Sequence, residues 1–449
     1  MYLIKNGHII DPVTNTDEIK DILIAGKKIA LVKESITPEE ASDFIKKKSE
    51  DVNISEEYGL KGDDDLTVKL IDASGLIVAP GLVDAHVHFR DPGFTYKEDI
   101  ETGAAAAARG GVTTVILMAN TKPAVDNPET LHYIQEKGAK TGINILQTST
   151  VTKGMQGNEL VDMDLMAAEG AAGFTDDGLP ILDEKVLYNA LLKAAELDLP
   201  VSLHEEDPFF VYEAGVNRGA VSEKLGYGGA DRAAEEIMTA RDAVLALTTG
   251  ASLCIQHISS KNTVEIVRTF RKLGADIHAE ATPHHFTLTE DAVLKYGTYA
   301  RMNPPLRTEE DRLAIIEGIK DGTIDMIVTD HAPHSKEEKD RPLGKASSGI
   351  TGIETSLALG IKSLVQPGYI SLMKLISLMS DSPARFYRMI PEGISEGAAA
   401  DIIIFGENEK WTVKEEEFAS KAVNSPFIGW ELPGRMHYTI CGGRIVYSI

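Results

Sequence analysis

Eight short apolar runs, several of them rich in β-branched residues, recur between Leu76 and Asp330, and helical periodicity fills most of the intervals between them. The runs read "LIVAPGLVDAHVHF", "VTTVILM", "INILQTSTV", "AAGFT", "PVSLH", "ASLCIQH", "ADIHAEA" and "IDMIVTD". The intervals include "YKEDIETGAAAAARG", "NPETLHYIQEKGAKT", "DEKVLYNALLKAAEL", "ADRAAEEIMTARDAVLALTT" and "NTVEIVRTFRKLG". Strands that each lead into a helix bury both kinds of element as a parallel sheet covered by helices. Eight such units of about 20 to 50 residues predict an α/β fold of the (β/α)8 barrel type. The competing solution is a doubly wound open sheet, whose strongest mark is a Gly-x-Gly-x-x-Gly turn after the first strand; none follows it here.

At 449 residues the chain exceeds what one hydrophobic core usually holds, so a second, smaller domain is expected. Both ends supply it. "YLIKNGHIIDP" and "DILIAGKKIALV" near the start, and "ADIIIFG" and "YTICGGRIVYSI" near the finish, read as short strands broken by glycine turns. The expected division is a composite β-sandwich from residues 1–79 and 388–449, with the barrel at 80–387. Residues 33–67 are dominated by Glu, Asp, Lys and Ser without periodicity, and read as a charged surface insertion.

Forty-five Lys and Arg against 69 Asp and Glu leave a net charge of −24. That balance disfavours nucleic acid and anionic lipid as partners, and an anionic substrate would need a local basic anchor. Cys254 and Cys441 lie far apart and outside any CxxC pattern, which fits a reducing compartment and offers no thiolate metal cluster; Cys254 reads as core filler. "MYLIKNGHIIDP" lacks the basic and apolar regions of a secretory signal, and no run reaches the ~18 apolar residues of a membrane span, so a cytoplasmic location is expected.

Residues i and i+2 of a strand face the same way, so His86 and His88 point together and Arg90 continues their line. A His-x-His pair alone reads equally well as polar residues closing a strand. The other chemically capable residues change that balance: Asp176 and Asp177 end the fourth strand, His204 the fifth, His257 the sixth and Asp330 the eighth. All lie at C-terminal strand ends, the face on which barrel enzymes place their chemistry. Histidine with carboxylate and no thiolate suits Zn2+ or a similar divalent ion. Two His and an Asp could hold one ion and two further His a second, with one carboxylate bridging them. Such an ion brings the pKa of bound water to roughly 7, ready to attack a carbonyl carbon. Asp330 is the candidate to take the water's proton and return it to the departing nitrogen. Hydrolysis of an amide, or the reverse condensation, is the reaction class. Arg90 offers a fork of donors to a carboxylate, with a surface salt bridge as its alternative. Asn120 after "VILMAN", Asn303 in "RMNPPLR" and His334 in "TDHAPH" are further candidates for substrate contact, each with an ordinary loop or surface reading beside it.

Together "DAHVHFRDPG", "MAN", "FTDDG", "LHEED", "IQH", "RMNPPLR" and "TDHAPH" resemble the cyclic amidohydrolases, and among them the dihydroorotase family, from Tyr2 to Ile449 apart from the insertion. The resemblance implies a barrel with a small β-sandwich built from both chain ends, and reversible interconversion of N-carbamoyl-L-aspartate and L-dihydroorotate in pyrimidine synthesis. It implies that His86, His88 and Asp330 bind a first zinc, His204 and His257 a second, and that Asp177 bridges them. It further implies that Arg90 and Asn120 hold the substrate carboxylate, that Asn303 and His334 touch the ring, and that backbone around Gly349 in "KASSGITG" contributes. Hydantoinases, dihydropyrimidinases and allantoinases bridge their metals with a carboxylated lysine. "GFTDDG" has no lysine and is similar instead to the bacterial branch that bridges through aspartate, with one zinc or two left open. Ala119 and Ser348-Gly349 depart from the Pro and Pro-Gly that the family often shows. The implied partner is the small-molecule substrate, with a homodimer or an association with aspartate transcarbamoylase left open. One rival is a hydantoinase-like or dihydropyrimidinase-like hydrolase of a neutral ring, which would leave Arg90 and Asn120 unpaired at about 1–3 kcal/mol each. The other is a non-catalytic scaffold, against which all the metal-capable side chains are present.

Overall fold

The computed structural model describes residues 1–49 and 67–449. Its strands in chain order are β1 (Tyr2–Asp11), β2 (Thr16–Ala25), β3 (Lys28–Lys33), β4 (Lys69–Asp72), β5 (Ile77–Pro80), β6 (Leu82–Val87), β7 (Val112–Leu117), β8 (Asn144–Gln147), β9 (Val201–Leu203), β10 (Leu253–Ile255), β11 (Ile277–Ala281), β12 (Met326–Ile327), β13 (Ile402–Gly406), β14 (Trp411–Thr412), β15 (Glu431–Leu432), β16 (Arg435–Cys441) and β17 (Arg444–Ser448).

The barrel closes as the alternation predicts. β6, β7 and β8 pair in parallel, with Val115 opposite both Asp84 and Ile145, and β9 to β12 form a second parallel ladder. The expected fourth strand, "AAGFT", is reduced to one bridging residue, Phe174, between Ser149 and Val201. Its backbone bonds are nonetheless made: Phe174 N–H donates to Pro200 O at 3.0 Å, and Ser202 N–H to Phe174 O at 3.0 Å. Val87 bridges His331, which completes the ring. Each helical pattern read from the sequence forms, and side-chain caps set the starts of most: Asp99 for Ile100–Arg109, Asn127 for Pro128–Gly138, Asp183 for Glu184–Leu197 and Ser260 for Lys261–Lys272. Leu187, Ala190, Leu191 and Ala194 show why these helices dock: buried positions recur at helical spacing and supply one apolar stripe. At Gly103 the first of these helices lies so close to the barrel that a Cβ would stand 2.4 Å from the Phe89 ring.

The chain ends meet in one sheet of order β17-β16-β13-β5-β1-β2-β3, with β4 parallel to β1. Ile4, Ile22 and Ile24 from one arm pack in a single buried cluster with Ile402, Ile404 and Ile440 from the other, so the sheet wraps around its own core. Of the segment 33–67, residues 50–66 lie outside the described residues. The described part departs from the expectation of an aperiodic insertion. Pro38–Ser49 is a helix, and Ile36 and Ala41 are buried against Leu3, Leu23 and Leu31. A few apolar positions among many charges suffice to seat one helical face. Cys254 and Cys441 are buried and free. Among the described residues no helix is long and apolar enough to cross a membrane.

Candidate active site

Strand ends deliver the predicted metal-capable side chains to one side of the ring. His86 lies in β6 and His88 just beyond it; Asp177 follows the Phe174 bridge, His204 follows β9, His257 follows β10 and Asp330 follows β12, all buried. Asp177 stands at the centre of them. Its Oδ1 is 3.6 Å from His86 Nε2 and 3.8 Å from both His204 Nδ1 and His257 Nε2, and its Oδ2 is 3.4 Å from His88 Nε2. Asp330 Oδ1 lies 3.0 Å from His88 Nε2 and 3.7 Å from His86 Nε2, and His204 Nδ1 lies 3.1 Å from His257 Nε2. Ligand atoms held tetrahedrally about 2.1 Å from an ion stand roughly 3.4 Å from one another, so the side chains already have the spacing of a coordination sphere. Two sets of donor atoms converge, His86 with His88 and Asp330, and His86 with Asp177 and His257.

The outer nitrogens explain how the rings are aimed. His86 Nδ1 is 2.5 Å from Glu280 Oε1 and His88 Nδ1 is 3.0 Å from Asn120 Oδ1. Each Nδ1–H donates outward, which fixes the tautomer and leaves an Nε2 lone pair facing the centre. On the far side Glu206 Oε2 lies 3.5 Å from His204 Nε2, leaving Nδ1 as that ring's inward atom. His86 Nε2 is buried with no hydrogen-bond partner among the described residues. Left so, it would cost about 1–3 kcal/mol, a cost that a coordinated cation removes. Burial opposes charge on His86, yet Glu280 and Asp177 raise its pKa well above the imidazole range, so with no cation at the centre a proton occupies Nε2, in the place a metal ion would take. Burial opposes charge on Asp177 too, and His86, His257 and His88 hold it well below the carboxylate range. This donor set, anionic carboxylates among oriented imidazoles, fits a divalent metal ion.

Backbone strain gathers at the same place. Of the eight non-glycine residues with positive φ among the described residues, three are Arg90 (60°), His257 (33°) and Asp330 (46°). Surroundings must over-determine such conformations, which is common where side chains are held for function. Asp176 belongs elsewhere: its Oδ1 accepts the N–H groups of Val151 (2.8 Å) and Thr152 (3.2 Å), and burial lifts its pKa to about 6.

Beside the cluster is a cavity of about 210 Å³, lined by Arg90, Asn120, Asn303, His334 and Gly349 among others. Arg90 donates from Nε to Pro333 O at 3.3 Å, and no carboxylate among the described residues pairs with it. Asn303 Oδ1 is buried without a partner among the described residues. His334 Nε2 is 2.8 Å from Ser348 O, so that nitrogen carries the hydrogen, while Lys97 Nζ donates to Nδ1 at 3.3 Å. The 3.4 Å approach of Arg90 Nη2 to the same Nε2 therefore sets two hydrogen-bearing nitrogens together and is not a hydrogen bond. Burial, with Arg90, Lys97 and Lys339, keeps His334 neutral. Asn120 lines this cavity and also serves the metal-capable residues. Its Oδ1 accepts from His88, and its Nδ2 donates to Asp177 Oδ2 (3.0 Å) and O (3.2 Å), so its amide is engaged in orienting two of the metal-capable residues.

Glu280 is the functional residue that sequence reasoning missed. The signal was present as a carboxylate between two alanines at the end of the strand "IHAEA", where alternation sets it on the face opposite Ile277, Ala279 and Ala281. A second cleft of about 300 Å³, lined by Arg109, Glu354, Lys410, Lys414, Glu417 and Glu431 among others, is not a rival. Its charges are paired with one another: Arg109 with Glu354, Lys410 with Glu431, and Lys414 with Glu417.

Comparison with known proteins agrees with this geometry. The family described as "Dihydro-orotase-like" matches residues 75–263. The chain is 54% identical to a dihydroorotase of Clostridioides difficile and 52% identical to one of Clostridium acetobutylicum, in each case across 100% of both chains. It is 45% identical to a dihydroorotase of Lactococcus lactis over 99% of both. Among solved structures it is similar to an L-hydantoinase from Arthrobacter aurescens, with a TM-score of 0.82, 24% identity, and coverage of 100% of this chain and 96% of that one. A D-hydantoinase from Thermus sp. gives a TM-score of 0.82 at 22% identity, with coverage of 100% of this chain and 96% of that one. At that identity the structural likeness speaks for the barrel fold alone, whereas full-length identity of about half the residues speaks for the family. With its metal-capable side chains gathered at the barrel mouth, this chain belongs to the dihydroorotase family of metal-dependent cyclic amidohydrolases.

Proposed function

We propose that the chain interconverts N-carbamoyl-L-aspartate and L-dihydroorotate, with zinc as its metal and the cytoplasm as its place of action. The observation that carries this reading is Arg90, a cation without a carboxylate partner among the described residues, on the wall of a cavity shared with His88, Asp177, His204, His257 and Asp330. A ring that bears a carboxylate satisfies that guanidinium; a neutral hydantoin or dihydrouracil does not. His86, His88, Asp177, His204, His257 and Asp330 would hold the metal, which supplies Lewis acidity toward water and the ring amide.

In ring opening, Arg90 binds the substrate carboxylate and Asn303 Oδ1 accepts a ring N–H. Asp330 takes a proton from the attacking water and delivers it to the ring nitrogen as the C–N bond breaks. The reverse reaction joins the ureido nitrogen to the side-chain carboxylate, releases water and consumes one proton, because a dianion becomes a monoanion. Residues 80–387 would carry this chemistry and residues 1–79 with 388–449 would support it.

The test is an assay in both directions. Carbamoyl aspartate should cyclise under acidic conditions and dihydroorotate should open under alkaline ones; turnover of hydantoin or dihydrouracil alone would overturn the proposal. Arg90→Met should lower kcat/KM for dihydroorotate by ~10-fold or more, equivalent to losing one charge-assisted contact of about 1.5–3 kcal/mol. An unchanged kcat/KM would place the carboxylate elsewhere.

A further inference from the structure

We infer that Lys339 is a positioning residue: its buried ammonium ties together the two loops that present Asn303, His334 and Gly349 to the cavity, and so sets affinity for the substrate ring. The inference rests on the reaction proposed above. Lys339 is 0% exposed, and lysine is almost never so buried unless paired. Its partners are carbonyl oxygens: Nζ donates to Ser347 O at 2.8 Å, to Gly349 O at 3.0 Å and, more weakly, to Arg301 O at 3.5 Å. The charged side chain that acts on it is another cation, Arg301, which together with burial brings the ammonium's pKa down to about 7. An amine buried at such a desolvation cost, with no carboxylate among the described residues to offset it, is held by the carbonyls to which it donates.

Those carbonyls lie beside the three ring contacts. Arg301 is two residues before Asn303, and its carbonyl also accepts Gly349 N–H at 2.9 Å. Ser348, between two of the carbonyls, accepts His334 Nε2–H on its own carbonyl at 2.8 Å and Arg301 Nε–H on its hydroxyl at 3.1 Å. Gly349 has φ of +124° and no room for a side chain, since a Cβ would stand 2.6 Å from that of Ala332. The base of the loop is closed independently. Ala332 N–H donates to Ile350 O at 2.8 Å, and Asn424 Nδ2 donates to Ala332 O at 3.1 Å and Gly349 O at 3.0 Å. Removing the ammonium therefore leaves Ser347 O without its donor and loosens the joint between the two loops, while the remaining bonds keep the loop folded.

The test is Lys339→Met, which keeps the aliphatic stem and removes the donors, studied in the metal-loaded enzyme. KM for dihydroorotate and Ki for orotate should rise ~10-fold. Turnover at saturation, metal per chain and the Ki of succinate, which offers carboxylates but no ring, should stay near wild type. An unchanged KM and orotate Ki would overturn the inference, and so would equal losses for orotate and succinate, which would mean that the whole site had moved. Lys339→Gln, which returns N–H donors, should recover part of the orotate affinity. Should the methionine variant not fold, the glutamine variant is expected to raise the orotate Ki by a smaller factor than ~10-fold with the succinate Ki unchanged, and an orotate Ki equal to wild type would overturn the inference. Wild-type inactivity on dihydroorotate would instead overturn the proposed reaction.

Discussion

Asp330→Asn is expected to fold and to bind substrate while losing ~10²- to 10⁴-fold in kcat, the range that general acid–base groups supply. Asp330 Oδ1 sits 3.0 Å from His88 Nε2, on the wall of the cavity that Arg90 also lines. Burial alone would favour its protonated form. The neighbouring imidazoles of His88, His86 and His257 outweigh it and hold the carboxyl below its usual range, so its resting form is the proton acceptor. Asparagine keeps the shape and one oxygen and cannot take the proton. Steady-state kinetics with circular dichroism and metal analysis of the same sample decide the matter; a wild-type rate would remove Asp330 from the base role.

Removing the metal should have the other large effect. The cluster confines four imidazoles and two carboxylates in buried space, with two nitrogens, His86 Nε2 and His257 Nδ1, lacking any hydrogen-bond partner among the described residues. An ion that binds the folded site and not the unfolded chain adds about 4 kcal/mol of stability at a thousand times its Kd. Dialysis against a chelator is therefore expected to abolish turnover and lower Tm, and zinc should restore both. Metal per chain at full recovery then distinguishes one bound ion from two. A chelated protein free of metal and still fully active would overturn the metal assignment.

The barrel was legible because its signal is periodic and local. Each helix that the sequence pattern predicts forms, and each metal-capable residue predicted at a strand end is found at one. Legibility failed where the deciding partner is remote or the run is short. "AAGFT" supplies only the Phe174 bridge, and the charged stretch before residue 50 contains a helix because Ile36 and Ala41 find a core made by β1, β2 and β3. Asp176 and Asp177 are neighbours with the same chemistry. Resemblance pointed to the second, and the folded chain turns the first toward Val151 and Thr152.

Asn120, Glu280 and Lys339 mark where linear reading ends. Asn120 read as a carboxylate anchor, and its amide also links His88 to Asp177, which the sequence did not show. Glu280 orients His86 from 194 positions away, and Lys339 acts through backbone carbonyls, which carry no sequence signature. Residue types, their order and the face they occupy follow from the strand's period of two and from barrel topology, and these are written along the chain. Which nitrogen of each ring faces inward, which aspartate joins the cluster and which lysine holds the loops depend on distances between segments far apart in sequence. Only closure of the ring brings those segments within reach of one another.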